Sequence, residues 1–144
     1  MFYQIHSELG ANVPKPILKQ FKNQIHALNS INDNGLISSC HDISDGGMIC
    51  ALAEMTFENK IGCSIDYEET ININAILFGE TGGFIIEVEN ENMNQIKIEL
   101  KEKGIEYIVI GKTANSEKIT FNDKINIDIE TCFNAWTGGL REKL

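Results

Sequence analysis

Leu36-Ile37-Ser38-Ser39-Cys40-His41-Asp42-Ile43-Ser44-Asp45-Gly46-Gly47-Met48-Ile49-Cys50-Ala51-Leu52-Ala53-Glu54-Met55 is the stretch around which the rest of the chain arranges itself. Leu36 to Cys40 reads as a short strand, and His41 to Gly47 as a polar turn that ends on two glycines. Gly47 to Glu58 is apolar almost all round, the pattern of a helix buried between layers. Strand, polar turn and buried helix in that order place the turn at the C-terminal end of a strand, where ligands of open α/β sheets gather.

The turn has two physical readings. In one it is a ligand site. Gly46 and Gly47 let a ligand approach the backbone, and the first N–H groups of the helix offer an anion site. Asp42 and Asp45, three residues apart, can hold Mg²⁺ together with phosphate or water oxygens. His41 can orient a carboxylate or act as a general base. In the other reading Ser44 or Asp45 is simply the N-cap, the glycines serve turn geometry, and His41 is a hydrogen-bonded interior histidine. The residues alone leave both open.

Upstream, Pro14 and Pro16 close an irregular lead-in over residues 1–14. A helix follows from about Lys15 to Ile31, with Ile17, Leu18, Phe21, Ile25 and Leu28 at helical spacing. Asn32 to Gly35 stops it, and Gly35 suits a left-handed C′ position. Downstream, Ile61–Asp66 reads as a strand, and Tyr67–Asn74 has no clear pattern. Gly83–Glu89 is a strand, Asn90 is placed to cap a helix through Leu100, and Gly104 closes it. Ile105–Lys112, Lys118–Phe121 and Lys124–Ile129 read as strands. Glu130–Leu144 reads as a final helix presenting Phe133, Trp136 and Leu140, with Trp136 as a core anchor. The expected fold class is α/β (α+β): a single domain over residues 15–144, with a mixed β-sheet, helices packed on it and a ferredoxin-like β-α-β-β portion.

Composition limits the function classes. The 144 residues suit one domain, and 12 Lys and Arg against 21 Asp and Glu give a net charge of −9. That balance argues against nucleic acid, which needs a basic footprint. Arg141 is the only arginine, so a bidentate Arg clamp on phosphate is not available. No apolar run reaches the ~18 residues of a membrane span, and the start lacks the pattern of a signal peptide; the expected location is cytoplasmic. Cys40, Cys50, Cys63 and Cys132 form no Cys-x-x-Cys pair and are expected as buried free thiols. His6 and His26 read as surface residues, and Glu99–Lys103 as a solvated helix face.

His41-Asp42-Ile43-Ser44-Asp45-Gly46-Gly47, followed by the apolar helix ending Ala51-Leu52-Ala53-Glu54-Met55, resembles a signature of the phosphoribosylformylglycinamidine synthase family. That family lies within the aminoimidazole ribonucleotide synthetase-related superfamily. Ile61–Asp66, Leu77-Phe78-Gly79-Glu80-Thr81, Val109-Ile110-Gly111-Lys112, and Trp136 with Leu140 extend the likeness over most of the chain. It implies the last of four domains in an ATP-dependent C–N ligase of purine biosynthesis. That ligase converts formylglycinamide ribonucleotide to the amidine, with ATP activating the amide oxygen and ammonia displacing phosphate.

The resemblance places the catalytic residues in domains outside this chain, so the chain alone is expected to be inactive. It implies Mg²⁺ and ATP or ADP as cofactors of the complete enzyme. His41, Ser44, Gly46 and Gly47 are the candidate nucleotide or phosphate contacts, and Asp42 and Asp45 the candidate metal contacts. It implies an N-terminal nucleotide-binding domain as partner, with a glutaminase subunit and self-association as further expectations. Glu80-Thr81-Gly82-Gly83 is shorter than the family segment and has no Arg beside it, so Glu80 is expected to be structural. The alternative is a stand-alone small-molecule-binding or dimerisation module of ferredoxin-like shape.

Overall fold

A computed structural model describes residues 2–8, 15–67 and 72–141. The order is α1 (Phe2–Ile5), α2 (Leu18–Asp33), β1 (Ser39–Asp42), α3 (Gly47–Thr56), β2 (Gly62–Ile65), α4 (Ile73–Phe78), β3 (Phe84–Glu87), α5 (Met93–Glu102), β4 (Gly111–Ala114), β5 (Lys118–Phe121), β6 (Ile125–Asp128) and α6 (Ile129–Arg141).

The strands form two sheets. β1 and β3 make an antiparallel ribbon with Ser39 opposite Glu87 and Asp42 opposite Phe84. The other four run in the order β4-β2-β5-β6, with β2 and β5 parallel and the outer pairs antiparallel. The mixed sheet with helices on it is therefore present. The β-α-β run over β3, α5 and β4 does not close in one sheet, because β3 pairs with β1 and β4 with β2.

Alternation along a strand sends neighbouring side chains to opposite faces. In the ribbon this gives the domain two cores. Ile85 joins Met48, Ala51, Leu52, Cys63, Ile65, Leu77, Ile119, Phe121 and Ile129. Ile86 packs with Ala27 and Ile31 of α2 and Ile96 and Leu100 of α5. Phe121 and Ile119, near 0% exposed, anchor the first core, each by about 1.5–3 kcal/mol of burial. α3 packs on α4, α6, β2 of the four-stranded sheet and both strands of the ribbon, as its apolar surface requires.

Several boundaries differ from the sequence reading, each for a physical reason. α2 starts at Leu18 because Ile17, after Pro16, is extended (φ −88°, ψ 95°). It ends as expected: Gly35 has φ +65°, and Leu36 N–H donates to Ile31 O at 3.1 Å. β1 starts three residues later than expected and ends two later, with Leu36 and Ile37 packed in the second core. α5 begins at Met93 rather than after a cap at Asn90; Asn92 holds the N-cap position and turns its amide to Leu36 O at 3.4 Å. Of the expected strand Ile105–Lys112, only Gly111 and Lys112 fall in β4, with Ile110 O accepting from Asp66 N–H at 2.9 Å, and Tyr107, Ile108 and Val109 stay exposed.

α4 fills part of the stretch without a clear pattern; residues 68–71 lie outside the described residues, as do lead-in residues 9–14 and C-terminal residues 142–144. Trp136 is not a core anchor: it is 61% exposed and packs on Phe57 and Phe133 at ring distances of 5.5 and 6.2 Å. The side chain of Leu140 lies outside the described residues. Of the cysteines only Cys63 is buried, which pushes its thiol up to about 11, while Cys40 is exposed and Cys50 and Cys132 are half-buried. Within the lead-in, Phe2 stacks on Phe78 with ring centroids 4.7 Å apart.

Candidate functional site

The turn is held from three sides. Ile43 N–H donates to Gly83 O at 2.9 Å, which extends the ribbon by one residue. Gly46 adopts a left-handed conformation (φ +83°) at the N-cap position of α3. Its N–H donates to Glu80 Oε1 at 2.9 Å, and Gly47 N–H donates to Ser44 O at 3.0 Å. The N-cap is thus Gly46 rather than Ser44 or Asp45, and its N–H is satisfied from outside the helix by a carboxylate. That hydrogen bond is the foremost cause that holds the Glu80 carboxyl below its ordinary range, since a charged acceptor is favoured over a neutral one.

Gly47 is needed for packing. Its φ is +73°, and a Cβ there would meet Leu77 O at 2.6 Å and Phe78 C at 2.7 Å. The backbone at the end of α4 lies directly against the start of α3, so Gly47 brings two helices together at this point.

His41 and Asp42 belong to β1 rather than to the turn, because β3 pairs as far as Phe84. The His41 ring faces α3: Nε2 lies 2.9 Å from Glu54 Oε2, and Nδ1 lies 2.7 Å from Asp42 O. Both ring nitrogens therefore face oxygen acceptors within the chain, and the half-buried His41 joins β1 to α3. Asp42, Ser44 and Asp45 point to solvent, with Asp42 Oδ1 3.7 Å from His41 Nδ1. The structure thus divides the predicted residues. His41, Gly46 and Gly47 are engaged within the fold, and the two aspartates and Ser44 are open.

Glu54 and Glu80 complete the scaffold. Glu80 could be suspected from its place after Leu77-Phe78-Gly79. Glu54 could not, because its meeting with His41, 13 residues away, depends on how β1 and α3 are packed. Among the described residues no group of three or more His, Cys, Asp or Glu is arranged to hold a metal. Two exposed carboxylates fit Mg²⁺ only as a shared site, with phosphate and water supplying most of the oxygens.

Over residues 5–124 the sequence matches the family described as AIR synthase related protein, C-terminal domain. The chain belongs to this family. Among relatives of this C-terminal domain, phosphoribosylformylglycinamidine synthase subunit PurL of Aquifex aeolicus is 31% identical over 145 residues, covering 97% of this chain and 20% of the relative. The chain thus spans about a fifth of the length of that curated relative. In Thermotoga maritima, the structure of PurLQS has a TM-score of 0.68 at 15% identity, covering 86% of this chain and 23% of that one. PurL of the same organism complexed with ATP has a TM-score of 0.66 at 14% identity, covering 77% of this chain and 21% of that one. These two share the fold of the C-terminal domain described above. No helix among the described residues is long and apolar enough to cross a membrane.

Proposed function

We propose that this chain serves as the C-terminal domain of a phosphoribosylformylglycinamidine synthase, an ATP-dependent C–N ligase of purine biosynthesis, and has no activity alone. The match to a named synthase subunit along 97% of the chain is the observation that carries this reading. The partners are the N-terminal nucleotide-binding domain of the same enzyme and a glutaminase subunit, and the location is cytoplasmic. The composite name PurLQS of the Thermotoga maritima structure supports a reading with further subunits.

Within the domain, Asp42 and Asp45 contact a Mg²⁺–nucleotide, framed by His41, Ser44, Gly46 and Gly47. Their exposure at the start of α3 supports this, as does the complex of a fold neighbour with ATP. When bound, Mg²⁺ would offset the charge between the two carboxylates and the phosphates. Glu80 and His41 hold the turn in place.

A hybrid enzyme tests the function. The matching segment of the Aquifex aeolicus subunit is replaced by this chain, and ammonia-dependent ADP release with formylglycinamide ribonucleotide is measured. Activity in the hybrid and none in the 144-residue chain is the expected result. A folded hybrid that binds substrate yet releases no ADP would overturn the assignment.

A further inference from the structure

The acidic surplus of this chain is unevenly spread. From Lys15 to Asn32 there is no Asp or Glu, while Lys15, Lys19 and Lys22 lie there with His26. The nine remaining Lys and Arg face all 21 Asp and Glu. The basic stretch also carries an uncovered apolar face. Leu18 is 78% exposed, and Ile17 and Ile25 are exposed as well. Pro16, Leu18, Phe21, Lys22, Ile25 and His26 line a shallow groove of about 530 Å³.

α5 carries the complement. Its inward side chains, Ile96 and Leu100, fill the second core beside Ala27 and Ile31 of α2, and Ser30 Oγ donates to Glu99 at 2.5 Å. Both helices thus cover the Ile86 side of the ribbon. On the outer side of α5, Ile98 is 59% exposed in a shallow concavity of about 600 Å³ with Glu91, Glu99 and Glu102, and with Lys103 at its margin. The α2 groove is mostly apolar with Lys22 in its lining and Lys19 on the same helix, and the α5 concavity sets one apolar side chain, Ile98, among three glutamates, so the two faces are opposite in charge.

We infer that the α2 face of one chain docks on the α5 face of a second copy. Because both helices lie in one layer, a two-fold axis can satisfy both pairings at once, which closes the assembly as a dimer. Apolar contact of Leu18 and Ile25 with Ile98 supplies attraction. Lys19 and Lys22 against Glu91 and Glu102 set orientation and speed encounter.

Sedimentation velocity of the 144-residue chain from about 1 to about 500 µM, the range for modest polar interfaces, is the test. Mass should rise from 16.1 kDa toward twice that value. NaCl raised from about 0.05 to about 0.5 M shortens the screening length from roughly 14 to roughly 4 Å and should weaken the dimer at least about fivefold. Leu18→Asp should leave a folded monomer, since this side chain lies outside both cores. Lys19→Glu with Lys22→Glu, and separately Glu91→Lys with Glu102→Lys, should each weaken self-association, and mixing the two reversed chains should restore it. A chain that stays monomeric at low salt overturns the proposal. So does a dimer untouched by these variants, or one lost instead on Trp136→Asp.

Discussion

Replacing Gly47 by Ala separates a packing role for this glycine from a purely conformational one. Two costs are readable from the structure. A left-handed φ of +73° costs an L-residue about 1–2 kcal/mol. The new methyl would also lie 2.6–2.8 Å from the backbone of Leu77 and Phe78, where no rotamer change relieves it; such overpacking costs about 1–3 kcal/mol. The expected loss is about 2–5 kcal/mol, a large share of the roughly 5–15 kcal/mol that holds a domain together. Gly35→Ala is the control, with φ +65° and nothing within 4 Å of its Cβ, so only the backbone cost of about 1–2 kcal/mol applies. Urea unfolding gives both values. With a slope of about 2 kcal/mol/M, the midpoint should fall by about 1–2.5 M for Gly47→Ala and by about 0.5–1 M for Gly35→Ala. Equal shifts would refute the reasoning and return Gly47 to a purely conformational role.

Glu80→Gln weakens the hydrogen bond to Gly46 N–H and should cost about 1 kcal/mol at neutral pH. The Glu80 carboxyl is lowered in the fold, so its contribution is present above the unfolded carboxylate range and is lost as pH falls through the folded value. Wild type and variant should therefore converge in thermal melts once the pH is taken below the folded value of Glu80; a gap that does not narrow as the pH falls contradicts the charge argument. A double-mutant cycle of His41→Asn with Glu54→Gln should give a coupling of about 0.5–1 kcal/mol, since the pair is partly open to solvent; zero coupling would remove His41 as the tie between β1 and α3. Phe121→Ala should cost about 3–5 kcal/mol, and Trp136→Ala no more than about 1.5 kcal/mol for its ring contacts. The reverse order in chemical denaturation would contradict the placement of the cores.

Periodicity and turn chemistry were enough to find α2, α3, α6 and the Gly35 stop, because each rests on local physics. The ribbon was not legible. Ser39 to Asp42 form a strand because Phe84 to Glu87 lie beside them, and no local rule places partners so far apart. The same limit hid the pairing of β3 and β4 with different neighbours. Ile105 to Ile110 has the composition of a strand, yet β4 begins at Gly111, so strand propensity overstated the ladder. In the site, the turn residues were visible as a group, but their division into scaffold and open carboxylates depends on Glu54 and Glu80 arriving from α3 and the α4–β3 connection. Trp136 was misplaced because size alone suggested burial, while its partner Phe57 lies just beyond the end of α3.

The central claim is that Asp42 at the end of β1 and Asp45 of the turn are open to a Mg²⁺–nucleotide, while Glu80 and α4 hold the glycines. Backbone amide shifts recorded on titration with Mg²⁺–ADP test this most directly. The account predicts changes concentrated at Asp42 to Asp45, lost in Asp42→Ala and Asp45→Ala with the fold intact. A titration that moves no amide of the turn, or one whose changes survive both substitutions, would contradict it.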